Sequence, residues 1–382
     1  LLALLWQDPA PSVPKPPEPA DMPVQLKSEH YDLSSLTDEA KAKELLDFME
    51  IVHATYLNLL KPDDPETVDS KRFTVVLYRN KDEYDASGAP KGSAAYYNGK
   101  RLVGYYDEFA MWGFFAHEGM HQFTDITSRA FRNFPMWFSE GIADCIGNSI
   151  VKNGRLYMCL KGGPLARRRL HRIQAALRDG KAYSLKTLLT LPRDKFMGDA
   201  KLCYAQSWSF CHFLMCFPEH GNPHAQIPNG RFRQCLAVYY ELIRGGNTQH
   251  QRAWDDAFKG YTVEELEEAW KKYILDYDGP KLHGFEGRTL TAEECAALGL
   301  GEKEGGVLIE KFDTEFKSAF EEDGFKVGDK ILKVKGDPLP RKAAYKELLD
   351  FLGDWPLKRK LKIDFARGEK NERQEISIAW KK

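Results

Sequence analysis

The chain lacks any stretch of about 20 consecutive apolar residues, the length a helix needs to cross a bilayer, so no membrane span is expected. It also lacks an excess of either charge: 55 Lys plus Arg stand against 56 Asp plus Glu, a formal net charge of -1. That balance gives no general attraction to phosphate backbones or anionic lipid, and no nucleic-acid partner is expected. The densest basic run, Arg167, Arg168, Arg169 and Arg172, falls in a helical pattern and reads as a solvated face. Cysteine is sparse. There are 7, an odd number without a C-x-x-C spacing, which argues against a disulfide scaffold and a cysteine-ligated metal. Cys203, Cys211 and Cys216 lie in an apolar helical segment beside His212 and read as buried thiols. No internal repeat is found. What remains is ordinary globular composition, 43% apolar and 29% charged, in a chain long enough for two or three domains.

Residues 1–6 run into a proline-rich stretch that continues to about Val24. This reads as a remnant of a secretory apolar region followed by an extended linker. Residues 1–24 are therefore set apart from the fold, and export to the periplasm or the exterior is expected, with a cytoplasmic location as the alternative. From Thr37, a fitting helix cap, apolar residues recur at Leu45, Phe48, Met49, Val52, Tyr56, Leu59 and Leu60, the spacing of an amphipathic helix. Residues 73–78 are β-branched and aromatic and predict a buried strand. Residues 94–97 and 101–106 flank Asn98-Gly99, a tight hairpin signal. From residue 111 to about 275 the period is helical. After a Gly and Pro break near Asp276 come short strand-like runs at 306–309, 330–334, 360–365 and 375–380, with one helical stretch at 341–352. The expected fold class is α+β, with one domain at 25–277 and a mostly β domain at 283–382.

Residues 117–121 read His117-Glu118-Gly119-Met120-His121. On a helix four residues turn about 400° and rise about 6 Å, so both imidazoles project from one face and can hold a single ion. Glu118 then sits beside that ion, placed to take a proton from water. After eighteen further residues comes Glu140, within Trp137-Phe138-Ser139-Glu140-Gly141-Ile142-Ala143-Asp144. A carboxylate on a second helix can complete three protein ligands on zinc and leave the fourth position open. Asp144, one turn on, can accept the free ring N–H of a ligand histidine.

This arrangement resembles the gluzincin metallopeptidases, and the sequence around Glu140 is similar to the peptidase-MA-like families of bacterial proteins. The resemblance covers about residues 25–275. It implies a zincin-like fold with an N-terminal α/β half and a helical second half, and Zn2+ as cofactor. His117, His121 and Glu140 would be the metal ligands, Glu118 the general base and Asp144 the orienting group. The implied reaction is hydrolysis of a peptide or protein substrate, by an endopeptidase because no G-x-M-E-N-like segment is present. It also implies a donor to the oxyanion, for which Tyr204 is the candidate and His212 the fallback, and a sheet edge near residues 92–97 along which substrate adds as a strand.

Residues 284–380 resemble a PDZ domain of the bacterial protease-associated type. The resemblance rests on Gly284-Phe285-Glu286-Gly287, Leu298-Gly299-Leu300, Gly305-Gly306-Val307-Leu308-Ile309 and Gly324-Phe325-Lys326-Val327-Gly328-Asp329-Lys330-Ile331-Leu332. It implies that a loop of Gly284, Phe285, Glu286 and Gly287 offers N–H groups to the C-terminal carboxylate of a peptide ligand. The sequence departs from the family at Glu286 and at Phe316-Lys317-Ser318-Ala319-Phe320. Two other readings stand beside the peptidase: a catalytically inactive, metal-stabilised adaptor, and a protein whose His117 and His121 are satisfied core histidines.

Overall fold

The computed structural model describes residues 16–62, 64–107, 111–128, 133–152, 155–157, 164–217, 231–246, 249–277, 284–312, 319–354, 360–368 and 371–378. The protein is a mixed α+β chain of two compact units, one of Leu1–Leu160 and Arg172–Tyr277, the other of Lys161–His171 and Asp278–Lys382.

The first unit is built on a five-stranded sheet of β1 (Val24–Lys27), β2 (Tyr31–Ser35), β3 (Phe73–Tyr78), β4 (Ala95–Tyr97) and β5 (Leu102–Tyr105) in the order β1-β2-β3-β5-β4. β2, β3 and β5 run parallel, and β1 and β4 are antiparallel edges. β3 is central and almost wholly buried, as an apolar strand flanked on both sides must be. Gly99, at φ 86°, makes the turn between β4 and β5. The long helix Glu39–Leu60 buries Leu45, Met49, Val52 and Tyr56. Its cap is Asp38, which accepts the Lys41 N–H; the expected cap, Thr37, instead pairs its hydroxyl with Ser35. β1 and β2 are short, and β1 is half-exposed, so neither carried a strong strand signal. Folding also begins earlier than expected. Pro19–Asp21 forms a turn, and Met22, 3% exposed, packs with Val76, Tyr78, Tyr84 and Val103. Residues 1–15 of the expected leader lie outside the described residues.

The rest of this unit is mainly helical, interrupted by a small hairpin of Ile150–Lys152 and Arg155–Tyr157 that the periodicity did not predict. Its central helix, Ala200–Cys216, is buried nearly all round, the mark of a helix packed on every face. Cys203 and Cys211 are buried free thiols within it, and burial pushes the Cys203 thiol up to about 11. Cys216 corrects the sequence reading: it is disulfide-bonded. An apolar helical context is the same for a thiol and a half-cystine, so the pattern could not separate them.

In the second unit the strands follow the order Glu372–Ile378, Leu361–Arg367, Lys330–Val334, Val307–Phe312, Phe285–Thr289, all antiparallel, and Asp337–Pro338 pairs with Lys330–Val334. Phe285, Val307, Ile309, Ile331, Leu348 and Phe365 are among its core residues. Two expectations change here. Arg167 is 3% exposed and donates to the Leu349 carbonyl at 2.7 Å, so the basic run is not a uniformly solvated face. Phe285, Glu286 and Gly287 are not a loop: they begin the edge strand, because burying Phe285 at 2% exposure draws the backbone into register with Phe312. Gly284 precedes them at φ 74°, and the Glu286 carboxylate meets Lys311 Nζ at 2.7 Å. Phe316, Lys317 and Ser318 lie outside the described residues.

Gly324 and Gly328 take φ of 97° and 91°, which deliver Asp329 into the interior at 1% exposure. Its carboxylate accepts the Lys326 N–H at 2.8 Å and the Arg367 Nε–H at 2.7 Å. Asp329→Ala leaves the Lys326 N–H and the Arg367 guanidinium without their shared carboxylate and should cost about 3 kcal/mol. Hydrogen exchange in Lys330–Val334 and Leu361–Arg367 measures this as a lower opening free energy; unchanged protection would show that the clamp contributes little.

Candidate metal centre

The helix Met111–Thr127 carries His117 and His121, and the helix Met136–Gly147 carries Glu140 and Asp144. Glycines set how close the two come. A Cβ on Gly113 would lie 2.5 Å from the Gly147 carbonyl oxygen, and one on Gly147 would lie 2.8 Å from the Gly113 oxygen and 3.1 Å from His117 Cβ. Backbones can touch at this crossing only because both residues lack a side chain. On another face of the Glu140 helix, a Cβ on Gly141 would be 2.6 Å from both the Ser207 oxygen and Cys211 Sγ, so Ala200–Cys216 packs directly against it. The His117 helix is fixed to the first half of the unit as well. Buried Gln122 donates to the Thr74 carbonyl of β3 at 2.9 Å, and the Tyr56 hydroxyl donates to the Ala116 carbonyl at 2.7 Å.

These supports bring three ligand atoms together. His117 Nε2 and His121 Nε2 are 3.2 Å apart, and Glu140 Oε2 lies 3.4 Å from each. Ligands placed tetrahedrally at zinc distances are about 3.3–3.4 Å from one another. The three atoms thus trace one face of such a tetrahedron, and the residues fit the ion. Glu140 is 8% exposed and its Oε2 has no hydrogen-bond partner, a cost that a cation at the centre of the cluster removes. Asp144, 1% exposed, places Oδ1 3.0 Å from His117 Nδ1. Accepting that ring proton turns the Nε2 lone pair towards the cluster. Ser139 Oγ makes a longer contact, 3.4 Å, with His121 Nδ1.

Glu118 faces the sheet. Its Oε2 accepts the Tyr97 N–H at 2.9 Å. Asn98 N–H donates to the Arg101 carbonyl, so by the alternation of an antiparallel pair Tyr97 N–H points off the outer edge of β4, where Glu118 meets it. The Tyr97 hydroxyl donates to Asp125 at 2.7 Å, and the edge strand is thereby fastened twice to the His117 helix. Tyr204 lies near the start of Ala200–Cys216, half-buried, with its ring 5.5 Å from that of Phe196. His212 is buried farther along that helix, Nδ1 3.1 Å from the Tyr273 hydroxyl and its ring against Trp208 and Tyr277. His117, His121, Glu140 and Asp144 converge on one cluster. Sequence reasoning put Tyr97 on the sheet edge but missed its contact with Glu118; it also missed the Ser139 contact and the Gly113–Gly147 crossing, although a glycine one turn before His117 and another just after Asp144 were visible signals.

Burial disfavours charge on both members of the central pair, yet their partners prevail. Asp144 and Glu140 hold the His117 ring well above its ordinary range, and His121 and His117 hold the Glu140 carboxyl well below its own. In the metal-free chain a lowered Glu140 adds stability that is present above its unfolded pKa near 4.3 and is lost as pH falls through the folded value. A raised His117 adds stability that is complete below about 6.5 and is lost as pH rises through its folded value. Melting temperature measured in chelator should therefore peak between these limits, and Glu140→Gln should flatten the acid flank. An acid slope identical in wild type and variant would contradict the pairing.

The profile of a family described as a protein of unknown function, DUF1570, matches residues 113–219, which contain the His117 to Asp144 segment. No curated protein matches the chain. Among solved structures, an aminopeptidase N family protein from Idiomarina loihiensis is similar over 94% of this chain and 66% of that chain, at 11% identity and a TM-score of 0.40. The HtrA3 PDZ domain bound to a phage-derived ligand is similar over 26% of this chain and 82% of that one, at 23% identity and a TM-score of 0.19. The HtrA-type protease AlgW with a decapeptide is similar over 30% of this chain, at 18% identity and a TM-score of 0.22. The present chain spans 34% of that protease.

Proposed function

We propose that this chain is a zinc metallopeptidase of the gluzincin type, an endopeptidase acting on peptide or protein substrates, with a PDZ-like second unit that binds peptide segments. The observation that carries the reading is the triangle of His117 Nε2, His121 Nε2 and Glu140 Oε2, with sides of 3.2, 3.4 and 3.4 Å, formed on a His-Glu-x-x-His helix. Zinc at that position supplies Lewis acidity and brings the pKa of water towards about 7.

The remaining roles belong to the chain's own groups. Asp144 holds His117 in the tautomer that presents Nε2. Glu118, kept in place by the Tyr97 amide, takes the proton from the attacking water and passes it to the leaving nitrogen. Tyr204 is the donor proposed for the developing oxyanion. β4, at the edge of its sheet, is the strand proposed to align substrate main chain beside Glu118. In the second unit, the edge strand Phe285–Thr289 is the proposed peptide-binding edge, with Gly284, Phe285, Glu286 and Gly287 at its start. Export fits the disulfide at Cys216, a bond that persists in oxidising compartments.

Glu118→Gln should keep fold and metal content while lowering peptide cleavage by about 10²–10⁴-fold. Cleavage of a diverse peptide library, followed by mass spectrometry alongside metal analysis, checks this. Wild-type rates in the variant would remove Glu118 from the chemistry. A wild-type protein that holds metal and leaves the library uncut would favour the inactive adaptor.

A further inference from the structure

A second cluster of ligand-type side chains lies elsewhere in the first unit. His30 stands just before β2, His53 lies on the long helix Glu39–Leu60, and Asp69 ends the short helix Pro65–Asp69. Asp69 Oδ1 is 3.1 Å from His30 Nε2 and 3.4 Å from His53 Nε2, spacings close to those of the first cluster. The three ligand atoms all lie within 4.8 Å of one another. We propose that His30, His53 and Asp69 form a second divalent-cation site, suited to zinc or a similar borderline ion, with Glu50 as the carboxylate behind His30. It stands independently of the function proposed for the His117 cluster.

Unmet polar groups mark the site. His30 and His53 are 7% and 1% exposed. Neither ring nitrogen of His53 has a hydrogen-bond partner, and nor does His30 Nε2; buried imidazoles normally pair theirs. Glu50 is locked in position: one oxygen accepts the His30 backbone N–H at 2.9 Å and the Ser28 hydroxyl, and the other lies 2.6 Å from His30 Nδ1. A proton on Nδ1 shared with Glu50 leaves a lone pair on His30 Nε2, and this faces the lone pairs of Asp69. Positive charge is required between them. A second proton on His30 would answer Asp69 without engaging His53, whose Nε2 lies 3.4 Å from the same oxygen, whereas one cation draws on His30 Nε2, His53 Nε2 and Asp69 together.

Two imidazoles and one carboxylate are a zinc-type donor set, unlike the all-oxygen sites of calcium or magnesium. The Asp69 side chain is 46% exposed, which leaves an approach from solvent and room for water as a further ligand. The two rings are stacked, 3.9 Å between centroids and 16° between planes, so coordination must fan them apart until both Nε2 lone pairs meet at one point. A filled site would tie the turn before β2, the long helix and Pro65–Asp69 together. His53 also packs edge-on against Phe123 of the His117 helix at 5.5 Å.

The full chain is stripped with chelator, equilibrated with excess Zn2+, freed of loose metal and analysed for bound zinc. Wild type should retain two equivalents. Asp69→Asn should retain one, and so should His121→Gln, while the double variant retains none. Zinc should still raise the melting temperature of His121→Gln, because an ion bound only by the folded state must stabilise it. Wild-type saturation at one equivalent, lost in His121→Gln, overturns the second site whatever the Asp69 variant does. Two equivalents surviving in Asp69→Asn also overturn it and assign the extra ion to adventitious surface binding. A wild type holding one equivalent that is lost in Asp69→Asn and kept in His121→Gln would uphold this site and overturn the His117 cluster instead.

Discussion

The close crossing of two helices at Gly113 and Gly147 is the constraint on which the candidate centre depends. Main-chain atoms of one helix touch those of the other where any Cβ would intrude at less than 3 Å. That contact sets the reach of Glu140 towards the paired imidazoles. A glutamate spans only a few ångströms from its backbone, so a crossing opened by even one methyl group would draw the carboxylate away from both rings. The Gln122 and Tyr56 hydrogen bonds hold the His117 helix against the sheet and the long helix, while Ala200–Cys216 backs the Glu140 helix at Gly141. Precision here comes from rigid elements rather than loops.

Electrostatics gives the same elements their chemical character. A nearly buried carboxylate and two partly buried imidazoles face one another with few other partners, an arrangement costly to keep unless a positive charge joins them. Asp144 settles which nitrogen of His117 points inward, and Tyr97 settles where Glu118 points. The edge strand therefore does two things at once: it borders the site and orients the group beside the ligands. The His30, His53 and Asp69 cluster repeats the logic on other elements, with Glu50 in the outer position that Asp144 takes in the first.

Much of this was legible in local pattern. Helical period located the long helix, the His117 helix and Ala200–Cys216, and four-residue spacing alone placed two imidazoles on one face. Glu140 and Asp144 could be read because they too are one turn apart. What escaped the sequence depends on tertiary neighbours. Phe285 enters a strand because a core is there to receive it, and Arg167 is buried because the Leu349 carbonyl is within reach. Cys216 is indistinguishable from its buried neighbours until its sulfur meets another. His30, His53 and Asp69 come from three separate elements, with no shared period to announce them. The glycine contact was visible as composition, but only the crossing of the two helices gives it meaning.

The central claim, that His117, His121 and Glu140 hold one zinc ion, is tested most directly by a crystal structure of the zinc-loaded chain with anomalous data collected across the zinc edge. A single peak about 2.0–2.2 Å from His117 Nε2, His121 Nε2 and a Glu140 oxygen is the predicted result. Density showing the Glu140 carboxylate turned away, with no zinc between the two imidazoles, would contradict it.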